Sequence, residues 1–259
     1  MPDTESSRPI RSLKGRVAIV SGAGSQGSGI GNGRAAALLL AEAGCDVACV
    51  DMNAADAERT AEMINAEGHG QAIALSANVT SEQDCKRAVS EAVKRFGRLD
   101  ILVNNVGIMG TPGTALEVDM AQWEDGMRMN ISSMVIMAKS AIPEMRKNNG
   151  PETAFWRGSI VNVSSVAGLL GGAPSLLYPT SKGAVLNLTR AMASHHAKDK
   201  IRVNCICPGA VYTPMVNHQG GGMDEEMRKS RAEMSPLKTE GTGWDCGAAV
   251  RFLASDEAR

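Results

Sequence analysis

Short apolar segments alternate with longer amphipathic segments along this chain of 259 residues. The short segments are predicted strands, at 17–21, 46–51, 71–76, 101–104, 158–164 and 201–207. Each is apolar at successive positions, which is typical of strands buried on both faces of a parallel sheet. The predicted helices lie between them, at 33–43, 54–66, 81–96, 119–147 and 180–197. This alternation predicts an α/β fold, a doubly wound parallel sheet with helices on both faces in three α/β/α layers.

The chain is long enough for one full-sized domain with a large core. No repeat, low-complexity block or proline-rich linker divides it, so we expect a single domain over 14–259. Residues 1–13 are polar, contain two prolines and lack the apolar stretch of a signal peptide, so we expect a flexible tail. The longest apolar run, 35–41, is too short for a membrane helix.

The charge balance and the cysteines narrow the function classes. Lys and Arg number 27 against 28 Asp and Glu, so there is no basic excess to bind nucleic acid. None of the six cysteines forms a CxxC pair, and Cys205 and Cys207 alternate on one face of a predicted strand. We therefore expect buried thiols, no metal site and a reducing, cytoplasmic location, with metal or redox roles as the alternative.

A glycine-rich segment, SGAGSQGSGIGNG over 21–33, joins the first strand to the first helix and contains six glycines. Glycines between a strand and a helix start allow backbone N–H groups to approach a diphosphate, and the helix dipole favours the negative charge. The segment predicts a nucleotide-binding loop, with a purely structural turn as the alternative. The candidate cofactor-binding residues are Gly22, Ser25, Gln26, Gly29, Ile30 and Gly31.

Asp51 ends the second predicted strand, 20 residues after Gly31. This separation is expected for a carboxylate that accepts both ribose hydroxyls of an adenosine. The carboxylate would repel a 2′-phosphate, and Met52 and Asn53 carry no positive charge to offset that repulsion. The sequence therefore favours NAD(H) over NADP(H), with Met52 as a further candidate cofactor contact.

Tyr178 and Lys182 lie four positions apart at a predicted helix start and share one face. An ammonium beside a phenol stabilises the phenolate and lowers a pKa that is ordinarily about 10. The tyrosine then becomes usable as an acid or base near neutral pH. Ser164 and Ser165 end a strand 14 and 13 residues earlier, at the sheet edge where ligands bind.

Taken together, these motifs resemble those of the short-chain dehydrogenase/reductase family, in its single-domain branch. The resemblance spans about residues 14–256. It rests on the glycine loop, the segment Asn104-Asn105-Val106-Gly107, Asn130, Ser165, Tyr178-Pro-Thr-Ser-Lys182, and Pro208-Gly209-Ala-Val211-Tyr-Thr213-Pro.

The resemblance implies a Rossmann-type sheet, a nicotinamide cofactor and an alcohol or ketone substrate. It implies that Tyr178 exchanges a proton with the substrate oxygen while Lys182 lowers the tyrosine pKa and holds the nicotinamide ribose. It further implies that Ser165, selected over Ser164 by the family's spacing, bonds the substrate oxygen. Asn130 would hold a water that relays protons past Lys182.

The remaining cofactor contacts are also implied by the resemblance. Asn78, where aspartate is more usual, and Val79 would contact the adenine. Asn105 and Gly107 would line the cofactor cleft. Val211 and Thr213 would hold the carboxamide and pyrophosphate, with Pro208 and Gly209 in the same segment.

Three features depart from the family's pattern. The glycine loop is longer, so either Gly29-Ile30-Gly31 or Gly31-Asn32-Gly33 could match the family's second and third glycines. Residues 148–157 lengthen the connection before the strand that ends near Ser165, where we expect no catalytic role. The family continues with a further strand beyond 259, so we expect an exposed edge beside the sixth strand.

The segment 214–240 is rich in methionine and glycine, which is typical of a mobile lid with adaptable apolar contacts, or of a plain surface loop. The candidate substrate-pocket residues are Met109, Leu169, Leu170, Tyr212 and Met215. They favour a mainly apolar, cyclic or aromatic alcohol or ketone. The alternative from another class is a catalytically silent nucleotide-binding regulatory protein. The family implies a homotetramer or dimer that packs helices 119–147 and 180–197 against symmetry mates.

Overall fold

The computed structural model describes residues 11–27, 29–148, 156–215 and 223–258. In these residues six strands form one sheet, in which all neighbouring strands are parallel and the order is β3-β2-β1-β4-β5-β6. The strands are β1 (Val17–Ser21), β2 (Asp46–Asp51), β3 (Ala72–Ser76), β4 (Ile101–Asn104), β5 (Gly158–Val163) and β6 (Ile201–Ile206). This confirms the predicted doubly wound parallel sheet.

Helices cover both faces of the sheet, which confirms the three layers. The helices are α1 (Asn32–Glu42), α2 (Ala54–Glu67), α3 (Glu82–Phe96), α4 (Met120–Met127), α5 (Ser133–Arg146), α6 (Leu177–His196), α7 (Glu225–Glu233) and α8 (Gly243–Ala254). One buried cluster joins the sheet to α1, α2 and α8, and a second joins it to α3, α5 and α6. Strand order reverses between β1 and β4, so the carboxyl ends there open a crevice.

Local capping explains where several helices begin and end. The Asn53 side chain accepts from the first backbone N–H groups of α2, and Gly68 ends that helix in the left-handed region at φ 72°. Ser81 caps α3 in the same way, and Gly97 ends it at φ 86°. These caps place the start of α2 directly after β2 and beside the sheet edge.

The long predicted helix 119–147 is divided in the structure. α4 passes into a π-helical turn, Arg128–Ser132, before α5 begins. A π turn inserts one extra residue, which amphipathic periodicity cannot reveal. The helix predicted at 180–197 also differs from the one observed, since α6 begins at Leu177 and so contains Tyr178.

The ends of the described chain pack locally. Leu13 is buried and its N–H donates to Ala43 O, whereas residues 1–10 of the predicted tail lie outside the described residues. Trp156 is buried, its ring stacked by Arg16 and Arg202. Within the described ranges, β6 has a strand neighbour on one side alone.

Candidate active site

The described residues enclose a cleft of about 790 Å³ along the carboxyl ends of the strands. Most of the predicted site residues lie on its wall, although they come from seven separate stretches of sequence. They are Gly22, Ser25, Gln26, Gly31, Asp51, Met52, Asn78, Val79, Asn105, Gly107, Met109, Ser165, Tyr178, Lys182, Pro208, Gly209, Val211, Thr213 and Met215. The sheet topology thus brings the glycine loop and the Tyr178 pair to one crevice.

The structure decides between the two registers of the glycine loop. Helix α1 begins at Asn32, with Gly31 immediately before it. A Cβ added to Gly33 would overlap the carbonyl oxygen of Gly22, so only glycine permits this approach of helix and loop. The register is therefore Gly31-Asn32-Gly33, and Asn32 and Gly33 both lie on the cleft wall.

The structure does not bring Gly29 and Ile30 to the cleft wall, which corrects the expectation from sequence. Gly29 packs against the Pro214 ring so closely that an added Cβ would overlap it. Ile30 is half-buried against the core on the α1 side of the sheet.

The Asp51 carboxylate is fixed at the end of β2. One oxygen accepts from the Gly24 N–H at 2.9 Å, and the other accepts from the Asn53 N–H at 3.0 Å. A second carboxylate on the cleft wall belongs to Asp56, which accepts from the Asn53 side chain at 2.7 Å. Sequence reasoning missed Asp56, whose only signal was its place in the first turn of α2.

Tyr178, Lys182 and Ser165 meet at the β5 end of the cleft. The Lys182 Nζ lies 5.7 Å from the centre of the Tyr178 ring and donates to Val163 O at 3.0 Å. Burial raises the pKa of Tyr178, and a hydrogen bond with the Ser165 side chain opposes that rise. Burial also lowers the pKa of Lys182 to about 8. Burial is thus the larger of the two effects on the tyrosine pKa, and the expected lowering of that pKa by Lys182 is not among them.

Asn130 lies in the π turn, fully buried behind the cleft wall. Its Oδ1 accepts from Ile108 N at 2.8 Å, and its Nδ2 donates to Ile108 O and to Ser181 Oγ, each at 2.9 Å. A Cβ added to Gly107 would lie 2.9 Å from Lys182 Nζ and 3.4 Å from Asn130 Oδ1. Asn130 therefore ties the loop after β4 to α6, close to the Lys182 ammonium.

The predicted substrate pocket is brought together only in part. Met109 and Met215 lie on the cleft wall, whereas Leu169, Leu170 and Tyr212 do not. Leu169 and Leu170 are exposed after a short 3₁₀ turn, and the Tyr212 ring lies 3.9 Å below the Arg228 guanidinium. Their spacing in sequence placed them near Ser165 and Thr213, but loop direction turns them away.

The wall also includes side chains that sequence reasoning did not select. Arg231 of α7 reaches the wall and donates to Val211 O and to the buried Glu240 carboxylate. The apolar additions are Val106, Ile108, Met129 and Pro214. Nothing in the local sequence around Arg231 marks it, because its place depends on how α7 folds back towards strand β7 (Val211–Tyr212).

Two negative findings hold for the described ranges. No group of three His, Cys, Asp or Glu side chains there is placed to hold a metal ion. No helix in those ranges is both long and apolar enough to cross a membrane. The six cysteines are free thiols, four of them buried.

Comparison with known proteins agrees with this geometry. The model of the family described as "Enoyl-(Acyl carrier protein) reductase" matches residues 24–259. The chain is 36% identical to "2-(S)-hydroxypropyl-CoM dehydrogenase 3" of Xanthobacter autotrophicus, over 95% of this chain and 92% of that protein. It is 35% identical to "Cis-4-hydroxycyclohexanecarboxylate dehydrogenase" of Sinomonas cyclohexanicum, over 94% and 90%.

A solved structure shows the same fold. It is a 7α-hydroxysteroid dehydrogenase complexed with NADH and 7-oxo glycochenodeoxycholic acid, with a TM-score of 0.85 and 31% identity over 96% of this chain and 90% of that one. The chain belongs to the short-chain dehydrogenase/reductase family and is an oxidoreductase.

The family binds a nicotinamide dinucleotide, and the residues of this cleft fit one. Gly31, Asn32 and Gly33 line the cleft at the start of α1, where such a cofactor places its diphosphate. Asp51 at β2 and Tyr178 beyond β5 are separated by three strand spacings, about 14 Å. An extended ligand lying across the strand ends would therefore contact both.

Proposed function

We propose that the chain is an NAD(H)-dependent dehydrogenase that interconverts a secondary alcohol and a ketone. The observation that carries the proposal is the convergence of Tyr178, Lys182 and Ser165 on the cleft wall that also contains Asp51. The nicotinamide would supply or accept the hydride. The protein's own residues would bind the substrate oxygen and move its proton.

In the reductive direction Tyr178 would donate its hydroxyl proton to the carbonyl oxygen while that oxygen gains negative charge. A raised pKa keeps Tyr178 protonated at neutral pH, which suits a proton donor. Ser165, hydrogen-bonded to the tyrosine, would hold the same oxygen. The Lys182 ammonium would stabilise the phenolate that remains, and its pKa of about 8 keeps it largely charged at neutral pH. A water held by Asn130 would carry the proton onward past Lys182.

The preference for NAD(H) over NADP(H) is proposed from charge. Asp51 is held with both oxygens occupied by backbone N–H groups, and Asp56 adds a second carboxylate on the same wall. Arg34, a neighbouring cation, is fully buried and cannot reach a ligand. A 2′-phosphate at this end of the cleft would therefore meet net negative charge.

The substrate is proposed to be a mainly apolar, cyclic or aromatic alcohol or ketone. Met109, Ile108, Met129 and Met215 give the cleft an apolar wall near Tyr178. The relatives named above act on hydroxylated small molecules, one of them a cyclohexane carboxylate. The segment 214–240 is proposed as a substrate lid, of which 216–222 lie outside the described residues.

The setting of the enzyme is also a proposal. Free thiols fit a reducing compartment such as the cytoplasm. A groove between α5 and α6, lined mainly by apolar side chains, fits the homotetramer or dimer expected from the family.

The proposal is tested by following nicotinamide absorbance with NAD(H) and NADP(H) against cyclic, aromatic and aliphatic alcohols and ketones. Asp51→Ala should reduce the preference for NAD over NADP by about tenfold, because one charge repulsion is removed. Asp46→Ala is the matched control, since Asp46 begins the same strand at the opposite edge. Turnover with neither cofactor, despite NADH binding, would support the regulatory alternative instead. An unchanged preference in Asp51→Ala would remove Asp51 from the ribose site.

A further inference from the structure

The Arg34 side chain is fully buried beneath the lengthened glycine loop, and it makes five hydrogen bonds. Nε donates to Thr60 Oγ1 at 2.9 Å. Nη1 donates to the carbonyl oxygens of Gly27 at 2.9 Å and Gly29 at 2.7 Å. Nη2 donates to Ser25 O at 2.8 Å and to Asp56 O at 3.4 Å. A guanidinium has five N–H donors, so this number of bonds matches its full capacity.

Burying the Arg34 guanidinium is unfavourable in free energy, because the cation loses its hydration. The same desolvation lowers the pKa of Arg34. The acceptors are four backbone carbonyls and one hydroxyl, so none of the hydrogen bonds reaches a carboxylate oxygen. The opposing carboxylates act through space, Asp56 more strongly than Asp51, and Arg59 adds a like charge. The positive charge therefore has no carboxylate bonded to it, and it lies directly under the loop.

The bonds also fix the direction of the loop's peptide groups. Three carbonyls of one short segment, those of Ser25, Gly27 and Gly29, point inward to the same guanidinium. In a trans peptide the C=O of one residue and the N–H of the next point in opposite directions, so the Gln26 N–H points away from Arg34. Gln26 lies on the cleft wall. An N–H turned toward the cleft over a buried cation has the polarity that an anion requires.

We propose that Arg34 is a positioning residue for the cofactor. It holds the lengthened loop in the conformation that receives the dinucleotide diphosphate, and it supplies positive potential there without touching the ligand. The inference rests on the proposed dinucleotide binding. It assigns a cofactor-affinity role to a residue outside the cleft wall.

The test separates affinity from general stability. Arg34→Lys keeps the charge but loses the five-donor fork, and Arg34→Met loses both. The dissociation constant of NADH, measured by fluorescence titration, should rise roughly tenfold for Arg34→Lys and further for Arg34→Met. A tenfold change in the dissociation constant corresponds to the loss of about one charged hydrogen bond. The kcat at saturating cofactor and the KM of the alcohol should stay within about twofold of the wild type, because Arg34 does not line the cleft.

Arg202→Lys is the matched control. Arg202 is also largely buried and donates to backbone carbonyls, but these belong to Leu253 and Ser255 and not to the glycine loop. The Arg202→Lys variant should have a lower melting temperature and an unchanged NADH affinity.

Thr60 provides a second, gentler variant in case Arg34 variants do not fold. Thr60→Val removes the acceptor of Nε, whereas Thr60→Ser keeps the hydroxyl. Thr60 is buried in α2 and does not line the cleft, and its hydroxyl also donates to Ala23 O of the loop at 2.9 Å. A loss of NADH affinity in Thr60→Val but not in Thr60→Ser would therefore support anchoring of the loop by the hydrogen-bonded pair of Thr60 and Arg34. NADH affinity within twofold of wild type in folded Arg34→Lys or, if that variant is unfolded, in Thr60→Val would overturn the inference. An equal loss of affinity in Arg202→Lys would also overturn it. A wild-type chain that binds neither NADH nor NADPH would overturn the proposed function and this inference together.

Discussion

Burial acts on Tyr178 and Lys182 in opposite senses. It raises the pKa of the phenol and lowers that of the ammonium to about 8, because the charged form of each group loses solvation. The Ser165 hydrogen bond opposes the effect on the tyrosine. At residue scale, the site thus holds a neutral proton donor beside a cation that titrates near the working pH.

Tyr178→Phe tests the proton donor. Turnover should fall by at least about 100-fold, since general acid–base catalysis contributes about that much, while NADH affinity is retained. Tyr212→Phe is the matched control, because Tyr212 is the other tyrosine in the chain and lies off the cleft wall. Steady-state kinetics and NADH titration give both quantities. Near-normal rates in Tyr178→Phe would contradict the proposed mechanism.

Lys182→Met tests the depressed lysine pKa through stability. The pKa of Lys182 is about 8 when folded, against a usual 10.5, so the folded protein bears the full cost of burying the charge below pH 8. That cost is relieved as pH rises through the folded pKa. The wild type should therefore gain roughly 2 kcal/mol in free energy of unfolding relative to Lys182→Met between pH 8 and 10.

Urea unfolding at several pH values measures this difference. Lys198→Met, at an exposed lysine just beyond α6, is the control and should show no comparable trend with pH. A wild-type curve parallel to that of Lys182→Met over this range would mean that Lys182 is not desolvated. Activity of Lys182→Met should also fall, because the phenolate loses its neighbouring cation.

At the scale of elements, two irregular features shape the site. The π turn at Arg128–Ser132 places Asn130 inward, where it bonds both to Ile108 and to α6. The lengthened glycine loop is hydrogen-bonded to the buried Arg34 side chain, and its last residues, Gly31 and Gly33, lie at the start of α1. The π turn and the glycine loop both depart from regular backbone geometry, and both do so beside the cleft.

Gly33→Ala tests the packing of α1 on the loop. The added methyl group would overlap the Gly22 carbonyl, so α1 and the loop must separate. We expect a loss of about 2 kcal/mol or more in free energy of unfolding, together with loss of NADH binding. Gly171→Ala is the control, because an added Cβ there meets nothing within 4 Å and the φ angle is ordinary. Equal behaviour of the two variants would reject the close approach.

At the scale of the whole molecule, the groove between α5 and α6 remains open to solvent. Val135 on its wall is 44% exposed, and Leu188 and Ala191 face it from α6. Met134, Ala138, Ala141 and Met145 of α5 are buried in the core. The proposed homo-oligomer would cover the apolar side chains that α5 leaves outside.

Val135→Glu tests this assembly. A carboxylate at a buried subunit contact is costly, so the variant should shift toward smaller species, as measured by light scattering after size exclusion. Leu116→Glu is the control, because Leu116 is 98% exposed and lies outside the groove. An unchanged oligomeric state in Val135→Glu would remove this groove from the interface.

Local sequence was sufficient for the parts of this protein that depend on periodicity and short spacing. Apolar runs and intervening amphipathic segments predicted the six-stranded sheet with boundaries close to those observed, because buried parallel strands must be apolar on both faces. The YxxxK spacing put Tyr178 and Lys182 on one helical face. The family motifs selected most of the residues that line the cleft.

Tertiary structure decided what depends on how distant segments meet. The glycine register followed from contact between Gly33 and Gly22, and Gly29 lies off the cleft wall against Arg34 and Pro214. Asp56 and Arg231 reached the wall through the placement of whole helices. The pKa of Tyr178 depended on burial, which cannot be read from the spacing of residues in the sequence. Sequence specifies local geometry and pattern, whereas desolvation and long-range approach exist only in the folded chain.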